Sequence, residues 1–320
     1  MAELTVIPVP GSGAEDVVVD AQGLVYTGTE DGAIFRVTPD GRHIDRVAHT
    51  GGRPLGIELL ADGRLLVCDA RRGVLAVDLG SGDDLGGVAG DDLGGVAGDI
   101  TVLVDRVDGR PMAFCNNAAV HSNGDVYFSD SSRTYGVDRW RADMVEDTTS
   151  GRLLRRSAEG GVDVLLDHLR FANGVALSAD ESYVAVAETA GRRIARQRLT
   201  GAGAGRTDML VDDLPGYPDN IARGSDGLIW VSIASPCDPL LERLMRAPRP
   251  VRQVAWRLPE AVQPKVKRTV HVMALDDDGR TVHDRTFPAQ EFHMVTGVRE
   301  HDGRVWLGSL HEPAVAFFDL

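Results

Sequence analysis

The sequence has few cysteines and far fewer basic than acidic residues. Its three cysteines, Cys68, Cys115 and Cys237, are far apart and lack CxxC spacing, so they indicate buried free thiols and neither a disulfide framework nor a zinc cluster. Lysine and arginine number 34 against 48 acidic residues, which gives a net charge of −14. Because proteins bind nucleic acid through clustered cationic side chains, we expect no nucleic-acid partner.

The sequence also lacks a long apolar run. No stretch approaches the ~20 consecutive apolar residues that cross a bilayer, and residues 1–4 show neither the basic nor the apolar region of a signal peptide. We therefore expect a cytoplasmic protein without a membrane partner. Hydrophobic residues make up 43% of the chain, which is enough for a substantial core. The oligomeric state stays open.

What the sequence does contain is a recurring turn followed by an apolar strand. The turn, most often Asp-Gly or Asn-Gly, opens six such starts, at residues 21–28, 61–69, 122–130, 179–188, 225–232 and 301–308. A second strand and often a third follow each start, which is typical of the four-stranded blades of a propeller.

This pattern predicts an all-β fold, a six-bladed β-propeller that spans residues 1–320 as a single domain. The apolar segment 4–9 precedes the first start without a partner, and only residues 314–319 remain after the last one. We expect the N-terminal strand to complete the last blade, because this closes the ring and removes exposed sheet edges.

Two segments interrupt the repeat. Residues 239–258 place apolar side chains at helical spacing between prolines, which predicts a short helical insertion in blade five at about residues 236–262. This insertion could cap the channel as a lid or pack against the rim of a blade. Residues 83–98 are a tandem duplication of eight residues. We interpret them as a tolerated loop extension, since calcium-binding repeats need several longer units.

Acidic or amide residues recur at similar places in successive repeats, at Glu15-Asp16, Asn116-Asn117, Asn173 and Asp219-Asn220. The inner strands of a propeller begin near one end of its channel, so these side chains should converge there. Glu15, Asn116, Asn173, Asp219 and Asn220 would offer oxygen ligands without sulfur or imidazole, which favours Ca²⁺ or another hard divalent cation. Each residue alone could instead satisfy the backbone of a turn. The recurrence and the apolar surroundings of Asn173 favour the metal.

Other polar residues have competing interpretations. His293 precedes the inner strand of the sixth blade and could face the channel as a general base, or it could form a hydrogen bond at the rim. Glu188 is expected to pair with Arg193. The run Ser129-Asp130-Ser131-Ser132 lacks the GxSxG elbow of serine hydrolases, which disfavours serine hydrolase chemistry.

The same motifs resemble the strictosidine synthase-like branch of the superfamily that also contains gluconolactonases and paraoxonases. The resemblance is carried by residues 14–16, 52–57, 126–132, 171–178, 188–189 with 193–194, and 214–221. It implies a six-bladed propeller with a calcium ion in its channel, bound through Glu15, Asn116, Asn173 and Asp219. It also implies hydrolysis of a lactone or another ester, in which the cation polarises the carbonyl. Asp219 at the edge of the metal, our choice, or a metal-bound water would provide the base or nucleophile.

Three positions depart from these families. Leu55 and Ala234 stand where paraoxonases carry channel histidines, and Thr296 stands where strictosidine synthase carries its catalytic glutamate. Two alternatives to a hydrolase of small-molecule lactones or esters therefore stay open. One is a condensing or lyase-type biosynthetic enzyme, and the other is a non-catalytic ligand-binding propeller with a structural cation.

Overall fold

The computed structural model describes residues 3–79, 99–256 and 267–320. In these residues six four-stranded antiparallel sheets form the blades of a propeller. The first strand of each blade contacts the first strands of both neighbouring blades, and the sixth blade returns to the first. The ring is therefore closed, as predicted.

The strands follow one another in chain order, beginning with β1 (Thr5–Pro8). Blade 1 consists of β2 (Val17–Val19), β3 (Val25–Gly28), β4 (Ala33–Val37) and β5 (Ile44–His49). Blade 2 consists of β6 (Pro54–Leu59), β7 (Leu65–Asp69), β8 (Gly73–Val77) and β9 (Ile100–Val104), followed by a small hairpin of β10 (Arg106–Val107) and β11 (Arg110–Pro111). Blade 3 consists of β12 (Cys115–Val120), β13 (Val126–Asp130), β14 (Gly151–Arg156) and β15 (Val162–Leu169).

The remaining blades repeat this order. Blade 4 consists of β16 (Ala172–Leu177), β17 (Tyr183–Glu188), β18 (Arg193–Arg198) and β19 (Thr207–Val211). Blade 5 consists of β20 (Gly216–Arg223), β21 (Ile229–Pro236), β22 (Val270–Leu275) and β23 (Thr281–Phe287). Blade 6 consists of β24 (Val295–His301), β25 (Arg304–Ser309), β26 (Ala314–Asp319) and β1. The helices are α1 (Trp140–Glu146), α2 (Pro239–Met245) and α3 (Arg249–Trp256), with 3₁₀ turns at Val137–Arg139, Thr189–Gly191 and Gly201–Gly203.

The N-terminal strand completes the last blade. β1 pairs antiparallel with β26, from Thr5 opposite Phe317 to Pro8 opposite Ala314. The first strand of the chain thus covers what would otherwise be the free edge of blade 6. This confirms the predicted closure.

The predicted strand order within the blades needs one correction. The strands that follow the Asp-Gly turns are the second strands of their blades, and the apolar residues before each turn form the innermost strand. Val17–Val19 is such a strand, and all of its residues are buried. Short strands buried on both faces lack the alternation of apolar and polar residues by which strands are recognised in a sequence, so the sequence pattern alone does not identify them.

The hydrophobic core is divided among the interfaces between neighbouring blades. Blade 2 packs on blade 3 through a cluster that contains Leu66, Phe128 and Leu154. Cys68 and Cys115 lie in the same cluster, are fully buried and are free thiols, whereas Cys237 is partly exposed. The prediction of buried free thiols therefore holds for two of the three cysteines.

The three helices lie together over one end of the ring. α2 and α3 form the helical insertion predicted in blade five, up to the last residue described there, Trp256. α1 is inserted between β13 and β14 of blade 3 and contacts both other helices. We call these three helices the cap. No helix in the described ranges is long and apolar enough to cross a membrane. The duplicated segment 83–98 lies outside the described residues.

Candidate metal centre

Five blades share an irregularity near the start of their inner strand. In β6, β12, β16, β20 and β24 the pairing with the next strand shifts at a bulge, where two residues of the inner strand lie opposite one residue of its neighbour. These pairs are Leu55-Gly56, Asn116-Asn117, Asn173-Gly174, Asp219-Asn220 and Thr296-Gly297. In blade 1 Glu15-Asp16 precede β2 at the corresponding place. Such bulges redirect side chains out of the ladder.

The first residue of each pair lines one cavity on the channel axis. Every blade supplies one member: Glu15, Leu55, Asn116, Asn173, Asp219 and Thr296. We call these six residues the axial ring. Four of the metal ligands predicted from the sequence, Glu15, Asn116, Asn173 and Asp219, are thus brought together.

The second residues of the pairs lie outside the lining of the cavity. Around the ring they alternate between glycine and a residue with a carboxylate or amide side chain. Blades 2, 4 and 6 carry glycine there, where neighbouring inner strands approach closely. A Cβ atom on Gly174 would lie 2.1 Å from the backbone nitrogen of Ile221, and one on Gly297 would lie 2.7 Å from the Cα of Asp16. Only a residue without a side chain fits at these positions.

Blades 1, 3 and 5 carry Asp16, Asn117 and Asn220 at the second position, and these side chains connect the blades. Asn117 Nδ2 donates to Asp16 at 3.2 Å, and its Oδ1 accepts from the backbone of Val175 in blade 4 at 2.9 Å. Asn220 Nδ2 donates to the Glu15 carboxylate at 3.2 Å. These contacts hold the inner strands, and with them the axial ring, in position.

Three buried amide oxygens have no hydrogen-bond partner among the described residues: Oδ1 of Asn116, of Asn173 and of Asn220. The amide nitrogens of the two axial-ring residues are satisfied, since Asn116 donates to Ser131 at 2.9 Å and Asn173 donates to Thr189 at 3.1 Å. A buried acceptor without a partner costs about 1–3 kcal/mol. The three oxygens are therefore suited to an electron-pair acceptor such as a cation.

The carboxylates of the site are crowded. Burial, followed by the charges of Asp16 and Asp219, raises the pKa of Glu15 well above its usual value. Burial also raises the pKa of Asp219 to about 7, although a hydrogen bond from Asn173 opposes the shift. Burial raises the pKa of Asp16 to about 7 as well, against the charge of Arg299. The electrostatic field of the site thus favours either protons or a cation.

The residues present fit a hard divalent cation. Glu15 and Asp219, which carry carboxylates, line the same cavity as Asn116 and Asn173, whose buried Oδ1 atoms are unpaired. Within the described ranges no three His, Cys, Asp or Glu side chains gather as a metal cluster, so the candidate ligand set depends on amide oxygens. Mixed carboxylate and carbonyl oxygen sets are typical of calcium sites.

Above the axial ring the cavity walls are mostly apolar. The cavity encloses about 1010 Å³ of empty space, its open mouth included. Its walls contain Phe114, Val137, Trp140, Met144, Val145, Phe171, Tyr217, Ala234, Leu241, Trp256, Met294 and Leu310. The rings of Phe114 and Phe171 meet edge to face, with centroids 5.5 Å apart. An oxygen-rich floor below apolar walls suits a substrate with one polar reacting group and an apolar body.

The cap is attached to the blades by polar contacts. Asp147, which ends α1, accepts from Arg170 at 2.9 Å and lies 3.7 Å from Arg252 of α3. The Tyr217 hydroxyl donates to Glu242 of α2 at 3.1 Å. Both helical segments lie over the mouth of the cavity. Of the two arrangements left open by the sequence, a lid and a helix packed against a blade rim, the structure has the lid.

Sequence reasoning missed the contribution of α1 to the cavity. Two signals were available, the long interval 131–150 between strands of blade 3 and the helical spacing of Trp140 and Met144. Sequence reasoning also did not predict that Thr296 belongs to the axial ring. In the structure the Thr296 hydroxyl donates to the Glu15 backbone oxygen at 2.8 Å.

His293 lies apart from the axial ring and is not among the residues that line the cavity. Its Nδ1 bonds the Glu312 carboxylate, and its Nε2 lies 3.2 Å from an Arg268 nitrogen. Both ring nitrogens are therefore engaged at the rim of blade 6. The structure offers no direct contact between His293 and a molecule bound at the axial ring.

Two other sequence interpretations can be compared with the structure. Arg193 donates to Glu188 at 2.8 Å, as expected. The Ser131 hydroxyl donates to the backbone oxygen of Ala172 at 2.6 Å. Ser131 therefore joins blade 3 to blade 4 and is not poised as a nucleophile.

Comparison with known sequences identifies relatives along most of the chain. The family profile described as strictosidine synthase matches residues 116–202, and the profile described as strictosidine synthase-like, N-terminal matches residues 1–37. The chain is 34% identical to adipocyte plasma membrane-associated protein of Salmo salar, over 93% of this chain and 73% of the relative. It is 30% identical to protein STRICTOSIDINE SYNTHASE-LIKE 6 of Arabidopsis thaliana, over 96% of this chain and 78% of the relative.

Solved structures share the fold at lower sequence identity. A gluconolactonase of Xanthomonas campestris superposes with a TM-score of 0.70 at 17% identity, over 100% of this chain and 90% of the other. Regucalcin of Agrobacterium tumefaciens, described as a calcium-binding protein, superposes with a TM-score of 0.63 at 13% identity, over 98% and 94% of the two chains. At these identities the likeness shows the propeller fold alone.

Proposed function

The chain belongs to the strictosidine synthase-like family, and from that membership we propose that it is a calcium-dependent hydrolase of small-molecule lactones or related esters. One observation carries the proposal: two acidic residues and two asparagines with unpaired Oδ1 atoms, from four different blades, line one mostly apolar cavity. The similar folds of a gluconolactonase and of a calcium-binding regucalcin support it.

The axial ring would hold the ion. Glu15, Asn116, Asn173 and Asp219, which line the cavity, are the proposed ligands. Asn220 is a fifth candidate through its unpaired Oδ1; it lies outside the cavity lining and donates to the Glu15 carboxylate. Calcium is our choice because the set contains only oxygen, although another hard divalent cation would suit the same atoms. A bound ion of this kind would polarise the ester carbonyl and stabilise the negative charge that develops on its oxygen.

The side chains of the cavity perform the remaining steps. The apolar walls bind the body of the substrate and exclude bulk water from the floor. A single water attacks the carbonyl carbon, and Asp219 accepts its proton. The bond between the carbonyl carbon and the alkoxy oxygen then breaks, and the proton passes to the departing oxygen. A lactone would thus open to its hydroxy acid.

Thr296 favours hydrolysis over the condensation alternative. The resemblance places an acid–base glutamate at this position in strictosidine synthase, whereas the Thr296 hydroxyl here donates to the backbone of Glu15. The side chain at this position therefore positions a proposed ligand and has no carboxylate with which to transfer protons.

A combined metal and activity assay tests the proposal. Purified protein should contain one calcium ion per chain by elemental analysis, and chelation should abolish hydrolysis of a panel of lactones and aryl esters. Asn116→Ala removes a proposed ligand and should lower calcium affinity by at least ~10-fold, the lower end of the loss found for outer-shell partners, and it should lower turnover at limiting calcium. Asn123→Ala, at an exposed turn, is the matched control. Full turnover of the metal-free protein would refute the role of the ion.

A further inference from the structure

The outer surface of the cap exposes aliphatic side chains that no other part of the described chain covers. Leu240 of α2 is 60% exposed, and Val251 and Val254 of α3 are 52% and 61% exposed. Elsewhere, large exposed apolar side chains occur singly on outer strands, for example Val102 and Val282. The three cap residues, in contrast, lie within residues 240–254.

The same surface is basic, although the chain as a whole is acidic. Residues 239–256 contain four arginines and one glutamate, a net charge of +3, in a chain whose net charge is −14. Glu242 is turned inward, where its side chain is 16% exposed. Arg243, Arg246 and Arg249 are exposed on the same segment of chain as the aliphatic residues, and Arg246 lies 3.7 Å from Glu242.

We propose that this basic and aliphatic face of α2 and α3 docks on an anionic lipid surface. Aliphatic side chains can enter the boundary between headgroups and acyl chains while arginines contact anionic headgroups. The acidic remainder of the molecule is repelled from such a surface, so the cap is the face presented to it. This contact differs from a membrane span, and it replaces the expectation of no membrane partner, which was based on the absence of a long apolar run.

The composition of the face favours lipid over a protein partner. Protein interfaces concentrate their binding free energy in aromatic anchors and are enriched in Tyr, Trp and Met. The exposed residues of α2 and α3 include no Tyr, Trp or Met. The one Trp of these helices, Trp256, and the one Met, Met245, are turned inward. A second copy of the chain would offer acidic charge to the arginines. The exposed aliphatic residues nevertheless lack the aromatic anchors of a protein interface, so a second copy is not favoured.

Docking in this way would also orient the cavity. Leu241 and Trp256 belong to the same two helices and line the cavity. The mouth would therefore open close to the lipid boundary, where apolar molecules concentrate. The docking itself does not depend on the proposed hydrolysis, and each can fail without the other.

The strength of the contact can be predicted. An arginine close to an anionic surface strengthens binding roughly fivefold, so the three exposed arginines contribute on the order of 100-fold. Because the attraction is electrostatic, high salt should weaken it. Vesicles of phosphatidylcholine alone should bind the protein much more weakly than vesicles that contain about 30% phosphatidylserine.

Co-sedimentation of the full chain with these vesicles tests the inference. The triple variant Arg243→Gln, Arg246→Gln, Arg249→Gln and the double variant Val251→Asp, Val254→Asp should each lose binding to anionic vesicles. Val102→Asp and Val282→Asp, at exposed positions on outer strands, are the matched controls and should bind as the wild type does. Thermal unfolding of each variant shows whether its fold is intact.

Four outcomes would overturn the inference, three of them in the vesicle assay. Those three are failure of the wild type to bind anionic vesicles at low salt, undiminished binding by both cap variants, and equal binding to neutral and anionic vesicles. Light scattering that shows a dimer disrupted by the same cap substitutions would assign this face to a second copy of the chain and would also overturn the lipid proposal.

Discussion

Relative to the wild type, Asp219→Asn should stabilise the calcium-free protein at neutral pH and destabilise the calcium-bound protein. In the calcium-free protein, burial raises the pKa of this carboxyl from 3.8 to about 7. One pKa unit corresponds to ~1.4 kcal/mol, so the ionised carboxylate destabilises the folded state by on the order of 4 kcal/mol above pH 7. Asp219→Asn removes this charge but keeps an oxygen that can accept the hydrogen bond from Asn173.

The pH dependence has a defined sign. Because the folded-state pKa of Asp219 lies above the unfolded value, its stabilising contribution is fully present below pH 3.8 and is lost as pH rises through about 7. The calcium-free wild type should therefore lose stability between about pH 4 and 7. Asp219→Asn should lose less, although Glu15 and Asp16 titrate in the same direction in both proteins. Excess calcium should stabilise the wild type at neutral pH, because it binds the folded state.

Urea unfolding followed by tryptophan fluorescence measures these effects. The comparison needs pH 5 and pH 8, each with chelator and with saturating calcium. Asp302→Asn is the matched control, since its side chain is 84% exposed and its backbone φ of 50° is tolerated by asparagine. The reasoning is refuted if Asp219→Asn destabilises the chelated protein at pH 8, or if calcium stabilises variant and wild type equally.

Three further substitutions test the packing, a buried ion pair and the cavity. Gly174→Ala places a methyl group 2.1 Å from a backbone nitrogen of blade 5 and should lower the free energy of unfolding by about 3 kcal/mol, whereas Gly161→Ala should change it by less than ~0.5 kcal/mol; equal urea midpoints would contradict the close approach of the blades. Glu188→Gln should destabilise by about 3 kcal/mol, because Arg193 loses the charge of its buried partner, and unchanged thermal stability would exclude that role. Trp140→Ala should raise KM for bulky aryl esters about tenfold with calcium content unchanged, and an unchanged KM would show that α1 does not contact the substrate.

Much of the architecture could be read from local features. Asp-Gly and Asn-Gly turns, with glycines at positive φ such as Gly63 and Gly227, mark four of the six hairpins because few other residues adopt that backbone. The spacing of these turns gave the number of blades. The unpaired apolar segments at the two ends of the chain predicted that β1 would complete blade 6. The innermost strands were missed because three buried valines carry no alternation to identify them.

The candidate site was predicted only in part. Recurrence identified Glu15, Asn116, Asn173 and Asp219, because each stands out as polar in a repeated apolar context. The same reasoning could not place Thr296 in the ring, since a threonine before a strand is ordinary. For His293 it offered two interpretations, a base that faces the channel and a hydrogen-bonded residue at the rim; in the structure the ring contacts Glu312 and Arg268.

The sequence by itself determined the repeated unit, because turn chemistry and apolar patterning act over a few neighbouring residues. Only the tertiary structure decided which oxygens share a cavity. That depends on aligned bulges in different blades and on glycines that let inner strands approach, as Gly297 does beside Asp16. Closing the ring brings residues 15 and 296 together across almost the whole chain, and no local pattern specifies a contact at that separation.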